Sequence, residues 1–125
     1  LVKSKNQINE NIHTFEFGVL DARSRKRFEG IEPEPRAEIK SGSIKNSKCL
    51  PFAECINKVD HTFKKNEEIK KLFNSILNNI DQKNVIFTCG SGVTAAVLAF
   101  AYRLINKNYM PIIYDGSWSE YGRNT

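Results

Sequence analysis

The sequence predicts an α/β fold of three layers, in which a central parallel sheet is covered by helices on both faces. Short apolar runs alternate with longer segments whose apolar residues recur every three or four positions, and this order is typical of strands alternating with helices. The strand-like runs carry few polar residues, as expected of strands buried on both faces. With 125 residues, of which 40% are hydrophobic, the chain is long enough to bury a core of its own.

Three runs are predicted as strands, and they are residues 17–21, 85–87 and 110–114. Shorter extended pieces are expected at Ile44 and over residues 50–52. In open parallel sheets, ligands bind beyond the carboxyl ends of the strands. We therefore expect one edge of the sheet to carry the polar residues that end or follow these strands, which are Asp21, Cys89 and Asp115.

Two long helices are predicted from apolar stripes. The first begins at Asn66, with glutamates in its first turn, and its stripe consists of Ile69, Leu72, Phe73, Ile76, Leu77 and Ile80. In the second, Val93 would begin the buried stripe and anchor the preceding loop, and the stripe consists of Val93, Ala96, Val97, Phe100, Ala101, Leu104 and Ile105. Single helical turns are expected over residues 24–28 and 53–57. Residues 32–42 contain two prolines and are expected to be irregular.

The remaining segment, residues 1–14, is polar and is predicted as a leader or interdomain linker. The domain itself would then span residues 15–125. No signal peptide is visible in this polar segment, and no apolar run approaches the ~20 residues of a membrane span. We therefore expect no association with a membrane.

Charge and cysteine content exclude further classes of function. The net charge is +5, but the lysines are scattered rather than gathered with aromatic residues on one face, which argues against nucleic-acid binding. The 3 cysteines contain no Cys-X-X-Cys pair and indicate neither a disulfide framework nor a zinc site. We therefore expect reduced cysteines, a location in the cytoplasm or the mitochondrion, and no metal or organic cofactor.

The segment from Val85 to Thr94 carries the chemistry. It reads as a buried strand that delivers Cys89 into a glycine-containing loop, which then opens a helix. Backbone N–H groups and a helix N-terminus favour the thiolate over the thiol, so the pattern indicates a reactive cysteine rather than an inert buried one. A phosphatase loop would need an arginine at position 95 to clamp phosphate, and Ala95 stands there. Of the two kinds of cysteine enzyme that use such a loop, the one that transfers sulfur through Cys89 is the remaining option.

The loop Cys-Gly-Ser-Gly-Val-Thr-Ala at residues 89–95 resembles the active-site loop of 3-mercaptopyruvate sulfurtransferases, within the rhodanese superfamily. The resemblance continues through residues 20–23, 27–30, 33–36 and 115–122, and so covers residues 15–122. It implies the C-terminal, catalytic domain of a two-domain enzyme, with a three-layer rhodanese-like fold. A second rhodanese-like domain, carrying the histidine and aspartate of a proton relay, would lie upstream.

This resemblance also implies roles for individual residues. Cys89 would be the nucleophile that becomes a persulfide, and Ser91 would assist proton movement. Arg27 and Arg36 would hold the carboxylate and ketone oxygens of a small 2-oxo acid thiol, the sulfur donor. The other substrate-binding residues would be Gly90, Gly92, Val93 and Thr94. The acceptor would be cyanide or a thiol, thioredoxin being one example.

Several alternatives remain open at this stage. The domain could use thiosulfate, although the family branch that does so typically has a basic loop where Gly90 and Ser91 stand here. It could also be a non-catalytic rhodanese-like binding or regulatory module. Each arginine could instead be solvated at the surface or form a salt bridge with Glu29, Glu32 or Glu34. Cys49 and Cys55 are expected to be small apolar core residues and Trp118 a packing residue.

Overall fold

The structure is a computed structural model that describes residues 1–77, 82–90 and 93–123. Within these ranges the strands are β1 (Gly18–Asp21), β2 (Lys48–Cys49) and β3 (Val85–Thr88). The helices are α1 (Lys5–Thr14), α2 (Arg25–Phe28), α3 (Asn66–Leu77), α4 (Val93–Ile105) and α5 (Ser117–Tyr121), with a 3-10 helix at Phe52–Cys55. Three residues named in the sequence analysis lie outside the described ranges, and these are Ile80, Ser91 and Gly92.

The strands form a parallel sheet in the order β2-β1-β3. Leu20 in the middle strand lies opposite Lys48 on one side and Phe87 on the other. Ile113 extends the sheet beyond β3 through parallel bridges to Phe87 and to Val2. The carboxyl ends of all three strands therefore lie at the same edge.

Side chains that alternate along the strands fill two separate cores. Leu20 and Phe87 point to one face and pack with Phe73 of α3 and Leu98 of α4. The other core contains, from both sheet and helices, Val19, Ile86, Ile8 of α1 and Trp118 of α5. Helices thus cover both faces of a parallel sheet, and the predicted three-layer α/β class is confirmed.

The buried face of α3 agrees with the predicted stripe, but the buried face of α4 does not. Ile69, Phe73 and Leu77 of α3 are buried. In α4 the buried residues are Ala95, Leu98, Ala99, Ala101 and Tyr102, and only Ala101 belongs to the predicted set. Because α4 is apolar on nearly every side, spacing alone does not indicate which side faces the core.

The predicted strand over residues 110–114 is reduced to the bridge at Ile113. Pro111 has no N–H to donate, and the N–H of Ile112 donates to the hydroxyl of Tyr109 at 2.9 Å. On the side facing β3, the ladder still includes the bond from Phe87 N to the Ile112 carbonyl and the bond from Tyr114 N to the Phe87 carbonyl. The segment is extended and paired, but over a shorter length than predicted.

Residues 1–14, predicted as a leader or linker, contain helix α1. Ser4 and Gln7 form a capping box at its start, and Ile8 is buried in the second core. The Asn11 side chain accepts from Phe17 N at 2.8 Å and donates to the Phe17 carbonyl at 2.9 Å. The helix contains only two apolar residues, which is too few to form a predictive stripe. The helix was therefore not predicted, because the capping and tertiary hydrogen bonds that stabilise it cannot be inferred from composition.

Candidate active site

Cys89 follows β3 directly and is only 1% exposed. Its N–H donates to Ser117 Oγ at 3.1 Å, and its carbonyl accepts from Trp118 N at 2.9 Å. The carbonyl of Gly90 accepts from Ser119 N at 2.8 Å. The start of helix α5 thereby holds the start of the cysteine loop.

Ser117 is the junction of these contacts. Its side chain also accepts a hydrogen bond from Thr88 Oγ1 at 3.1 Å and donates to the Tyr114 carbonyl at 2.8 Å. The residue is fully buried and has a φ of 51°, in the left-handed region that favours glycine. Sequence reasoning gave Ser117 no role, because a serine beside a glycine is typical of any turn; the resemblance over residues 115–122 was the only signal.

A pocket of about 490 Å³ lies beside this loop. Four predicted site residues line it, and they are Arg27, Arg36, Gly90 and Thr94. Cys89 lies next to Gly90 in the chain but does not itself line the pocket. Pro51, which precedes the 3-10 helix, and Phe52, which begins it, form the apolar part of the pocket wall.

The prediction that Val93 belongs to the buried stripe of α4 is wrong, because Val93 is 69% exposed. Its role in substrate binding stays a prediction, and Val93 is not among the residues that line the pocket. The helix turns Ala95 toward the core instead, which leaves Val93 on the outer side of the first turn. Ser91 and Gly92, the other loop residues predicted for the site, lie outside the described residues.

Four charged side chains form a chain of ion pairs along the pocket. Asp21 accepts from Arg23 at 2.7 Å, and Arg23 Nη1 reaches Glu34 at 3.3 Å. The same Glu34 binds Arg27 through two hydrogen bonds, from Nε at 3.1 Å and from Nη2 at 2.7 Å. Of the alternatives considered for Arg27, the salt bridge with Glu34 is therefore formed.

Arg27 and Arg36 differ in their surroundings. The hydrogen bonds that Arg27 donates to Glu34 raise the pKa of the Arg27 guanidinium, burial opposes this, and the charges of Glu34, Asp21 and Cys89 raise it further. Arg36 is exposed at the pocket wall and makes no ion pair with a described residue. Of these two arginines, Arg27 has its positive charge balanced by Glu34, whereas the charge of Arg36 is not balanced by an ion pair with a described residue.

The other two cysteines are buried in places expected of small apolar residues. Cys55 belongs to the main core, and the Cys49 thiol lies 3.5 Å from the Arg23 carbonyl. Burial raises the pKa of both thiols to about 11. Trp118 is buried, stacks on Tyr121 and donates to the Lys40 carbonyl, which fits the packing role predicted for it.

Two broader absences hold for the described residues. No group of three or more His, Cys, Asp or Glu side chains is placed to hold a metal ion. No helix in the described ranges has the length and apolar character needed to cross a membrane.

An open parallel sheet with a cysteine directly after one of its strands, beside a pocket with arginine side chains, defines a class of α/β domains suited to thiol chemistry. The chain belongs to the rhodanese-like domain family, whose pattern matches residues 4–124.

Sulfurtransferases are among its relatives. Over 121 residues the chain is 40% identical to thiosulfate/3-mercaptopyruvate sulfurtransferase 1, mitochondrial, of Arabidopsis thaliana, which covers 97% of this chain and 31% of that protein. It is also 40% identical over 121 residues to 3-mercaptopyruvate sulfurtransferase of Mus musculus, covering 96% of this chain and 39% of that enzyme. The crystal structure of the Tum1 protein of Saccharomyces cerevisiae matches with a TM-score of 0.82 and 28% identity, over 96% of this chain and 42% of that one. The chain thus spans well under half the length of each.

Proposed function

We propose that this chain is a sulfurtransferase domain that takes a sulfur atom from 3-mercaptopyruvate onto Cys89 as a persulfide and passes it to a thiol or to cyanide. The plant and mouse relatives, each 40% identical to this chain, are named for transfer of sulfur from this donor, which supports the proposal. The position of Cys89 at the carboxyl end of β3, beside a pocket, supports its role as the nucleophile.

The net charge of the pocket is the observation that favours mercaptopyruvate over thiosulfate as the sulfur donor. Three arginines line the pocket, and the two carboxylates paired with them, Asp21 and Glu34, cancel two of the positive charges. The remaining charge is that of Arg36. A single positive charge suits a donor with one carboxylate, whereas thiosulfate carries two negative charges.

The transfer balances as follows. The Cys89 thiolate attacks the sulfur of mercaptopyruvate, so that an S–S bond forms and the C–S bond breaks. The electron pair of the C–S bond passes to the carbon as the enolate of pyruvate, which takes the proton that the donor thiol gives up. Arg36 would pair with the carboxylate, and Arg27 would donate to the oxo oxygen on which the enolate charge develops. Ser91 would assist the proton movement, as the resemblance implies.

In the second half of the cycle an acceptor thiolate or cyanide attacks the outer sulfur and releases the Cys89 thiolate. Thioredoxin is one such thiol acceptor. We place the catalytic domain at residues 15–125, with helix α1 packed on it through Ile8, and, as the lengths of the relatives allow, a second rhodanese-like domain elsewhere in the protein. A mitochondrial or cytoplasmic location would fit, and the Arabidopsis relative is named mitochondrial.

Thiosulfate is the second candidate donor, because the name of the Arabidopsis relative includes both donors. The deciding experiment measures pyruvate release from mercaptopyruvate and thiocyanate formation from thiosulfate, side by side. We expect the chain to prefer mercaptopyruvate, Cys89→Ser to abolish turnover, and Cys49→Ala, which removes a buried thiol outside the pocket, to retain it.

A preference for thiosulfate, or turnover that survives Cys89→Ser, would overturn the proposal. Persulfide formation on Cys89 is detected separately, as a mass increase of one sulfur atom after donor is added without acceptor. A chain that neither turns over nor gains this sulfur, alone or within the longer protein, would instead be a non-catalytic module.

A further inference from the structure

We propose that Glu34 is a positioning residue of the pocket, which holds the Arg27 guanidinium against Gly90 and cancels its charge, so that Arg27 contacts the oxo group and Arg36 alone attracts the carboxylate. The inference rests on the proposed function, since it divides the work of the same site between two arginines.

The contacts of Glu34 are those of a fixed anchor. Both of its carboxylate oxygens accept from Arg27, at 2.7 and 3.1 Å, in the two-point geometry that orients a guanidinium as well as attracting it. The Glu34 side chain is only 3% exposed, while the Arg27 side chain is 29% exposed. Glu34 is the buried residue of the pair and is therefore the fixed one. The N–H groups of Arg27 that do not bind Glu34 remain available to the pocket.

Glu34 is itself held from behind. Arg23 Nη1 lies 3.3 Å from Glu34 Oε2, and the rest of the Arg23 guanidinium is committed to Asp21 and to the Gly42 carbonyl. Asp21 ends strand β1, so the chain of ion pairs connects Arg27 to the sheet. A guanidinium tied in this way cannot swing freely into solvent.

The cysteine loop leaves room for this arrangement at Gly90. A Cβ atom at position 90 would lie 2.8 Å from Arg27 Nη2. The neighbouring guanidinium thus occupies the space that a side chain would take, immediately after Cys89. Glu34 sets which atom of Arg27 faces the loop.

The test compares Glu34→Gln with Glu34→Asp. Glu34→Gln keeps the shape but removes the charge, so Arg27 becomes a second free cation. We expect kcat/KM for mercaptopyruvate to fall by about tenfold or more, as for loss of a charge-assisted hydrogen bond. The ratio of thiosulfate to mercaptopyruvate turnover should rise, because the pocket gains positive charge. Glu34→Asp keeps the charge but shortens the reach, so it should lower kcat/KM without raising the ratio.

A double-mutant cycle separates positioning from general loss of structure. In an Arg27→Ala background, Glu34→Gln should change kcat/KM for mercaptopyruvate little, because Glu34 has nothing left to position. In an Arg36→Ala background its effect should persist in full. Equal losses toward both donors, or an effect that is additive with Arg27→Ala, would overturn the proposal. Each rate is divided by the fraction of folded protein, which thermal denaturation measures. This correction is needed because breaking a buried ion pair also lowers stability.

The matched control is Glu54→Gln. Glu54 pairs with Arg25 of the same helix α2, but this pair is exposed, at 53% for Arg25 and 36% for Glu54, and neither residue lines the pocket. We expect both donor rates to stay unchanged. If Glu34→Gln does not fold, Glu34→Asp decides, and kinetics of this variant equal to those of the unmodified chain would refute the positioning role.

A reagent pair distinguishes this proposal from the proposed function. Alkylation of Cys89 by anionic iodoacetate and by neutral iodoacetamide is followed by mass spectrometry. Glu34→Gln should raise the preference for iodoacetate, and Glu34→Asp should not, even if no donor is turned over. Absence of turnover, both for this chain alone and within the longer protein, with this shift present would reject the donor assignment but retain the role of Glu34. Absence of the shift would reject the role of Glu34, and a Cys89 that reacts with neither reagent would reject both.

Discussion

At Gly90, the missing side chain makes room for a neighbour. Its φ is not in the left-handed region, so the backbone does not require glycine there. What an added methyl group would meet is the end of Arg27, which Glu34 prevents from moving aside. The requirement for glycine comes from the neighbouring pocket residue Arg27. A substitution at position 90 should therefore affect activity more than stability.

We expect Gly90→Ala to lower kcat/KM for mercaptopyruvate by about tenfold, the scale of one displaced charge-assisted hydrogen bond, with little change in stability. Steady-state kinetics and urea denaturation measure the two effects. Gly18→Ala, at a position with open space around the glycine, is the matched control and should change neither. A large loss of stability without loss of activity would contradict the explanation.

The residue scale also marks the limit of sequence reasoning about the site. The resemblance led to Arg27, Arg36, Gly90 and Thr94, which the structure brings to one pocket. It did not reveal that Glu34, one of three glutamates considered as partners, pairs with Arg27 and leaves Arg36 without an ion pair to a described residue. Pairing depends on which side chains the loop turns inward, and the Pro-Glu-Pro-Arg motif carries no periodicity from which to predict it.

At the scale of elements, predictions succeeded where one face of an element is polar. Helix α3 carries charges on its outer side, so its stripe identified the buried Ile69 and Phe73. Helix α4 lacks that contrast, and its orientation is decided by contact with α3 and the sheet, which no local pattern contains. The segment around Ile113 was recognised as extended, but its shorter pairing depends on Pro111 and on the Tyr109 hydroxyl, whose bond to Ile112 N is not visible in a pattern of apolar residues.

Helix α1 gives a prediction at this scale. Its Asn11 side chain satisfies both main-chain groups of Phe17, at the entry to strand β1. We expect Asn11→Ala to lower the free energy of unfolding by about 1–3 kcal/mol, the cost of leaving partly buried groups unpaired. Asn9→Ala is the control, because Asn9 in the same helix makes only an exposed bond with Tyr121, and it should cost well under half as much. Equal costs, measured by chemical denaturation, would argue that the helix contributes to stability only as a whole.

The whole molecule was predictable in outline because strand and helix patterns alternate. Three layers and a common edge for the strand ends follow from that alternation, whichever way α4 faces. The two cores are separated by the sheet, and neither Cys49 nor Cys55, whose thiols are buried, is among the residues that line the pocket. Their effect is therefore expected in global stability.

The stability of the fold should fall in alkaline solution. Burial raises the pKa of Cys49 and of Cys55 from 9.0 to about 11, so the folded chain keeps two protons that the unfolded chain has released. Their stabilising contribution is complete below pH 9.0 and is lost as the pH rises toward about 11, by at most about 1.4 kcal/mol per thiol per pH unit. Denaturation curves between these pH values measure the slope. It should flatten in a Cys49→Ala, Cys55→Ala variant, and an unchanged slope would assign it to other groups.

The bonds that tie the cysteine loop to helix α5 have a consequence for how such a domain diversifies. The carbonyls of Cys89 and Gly90 accept from the N–H groups of Trp118 and Ser119, so both bonds join main chain to main chain. A mutation that exchanges one loop side chain for another leaves these attachments untouched. The main-chain contacts that position the loop therefore do not depend on which side chains the loop carries. Descendants of one ancestral domain can acquire new reactive side chains in the loop while these contacts are retained.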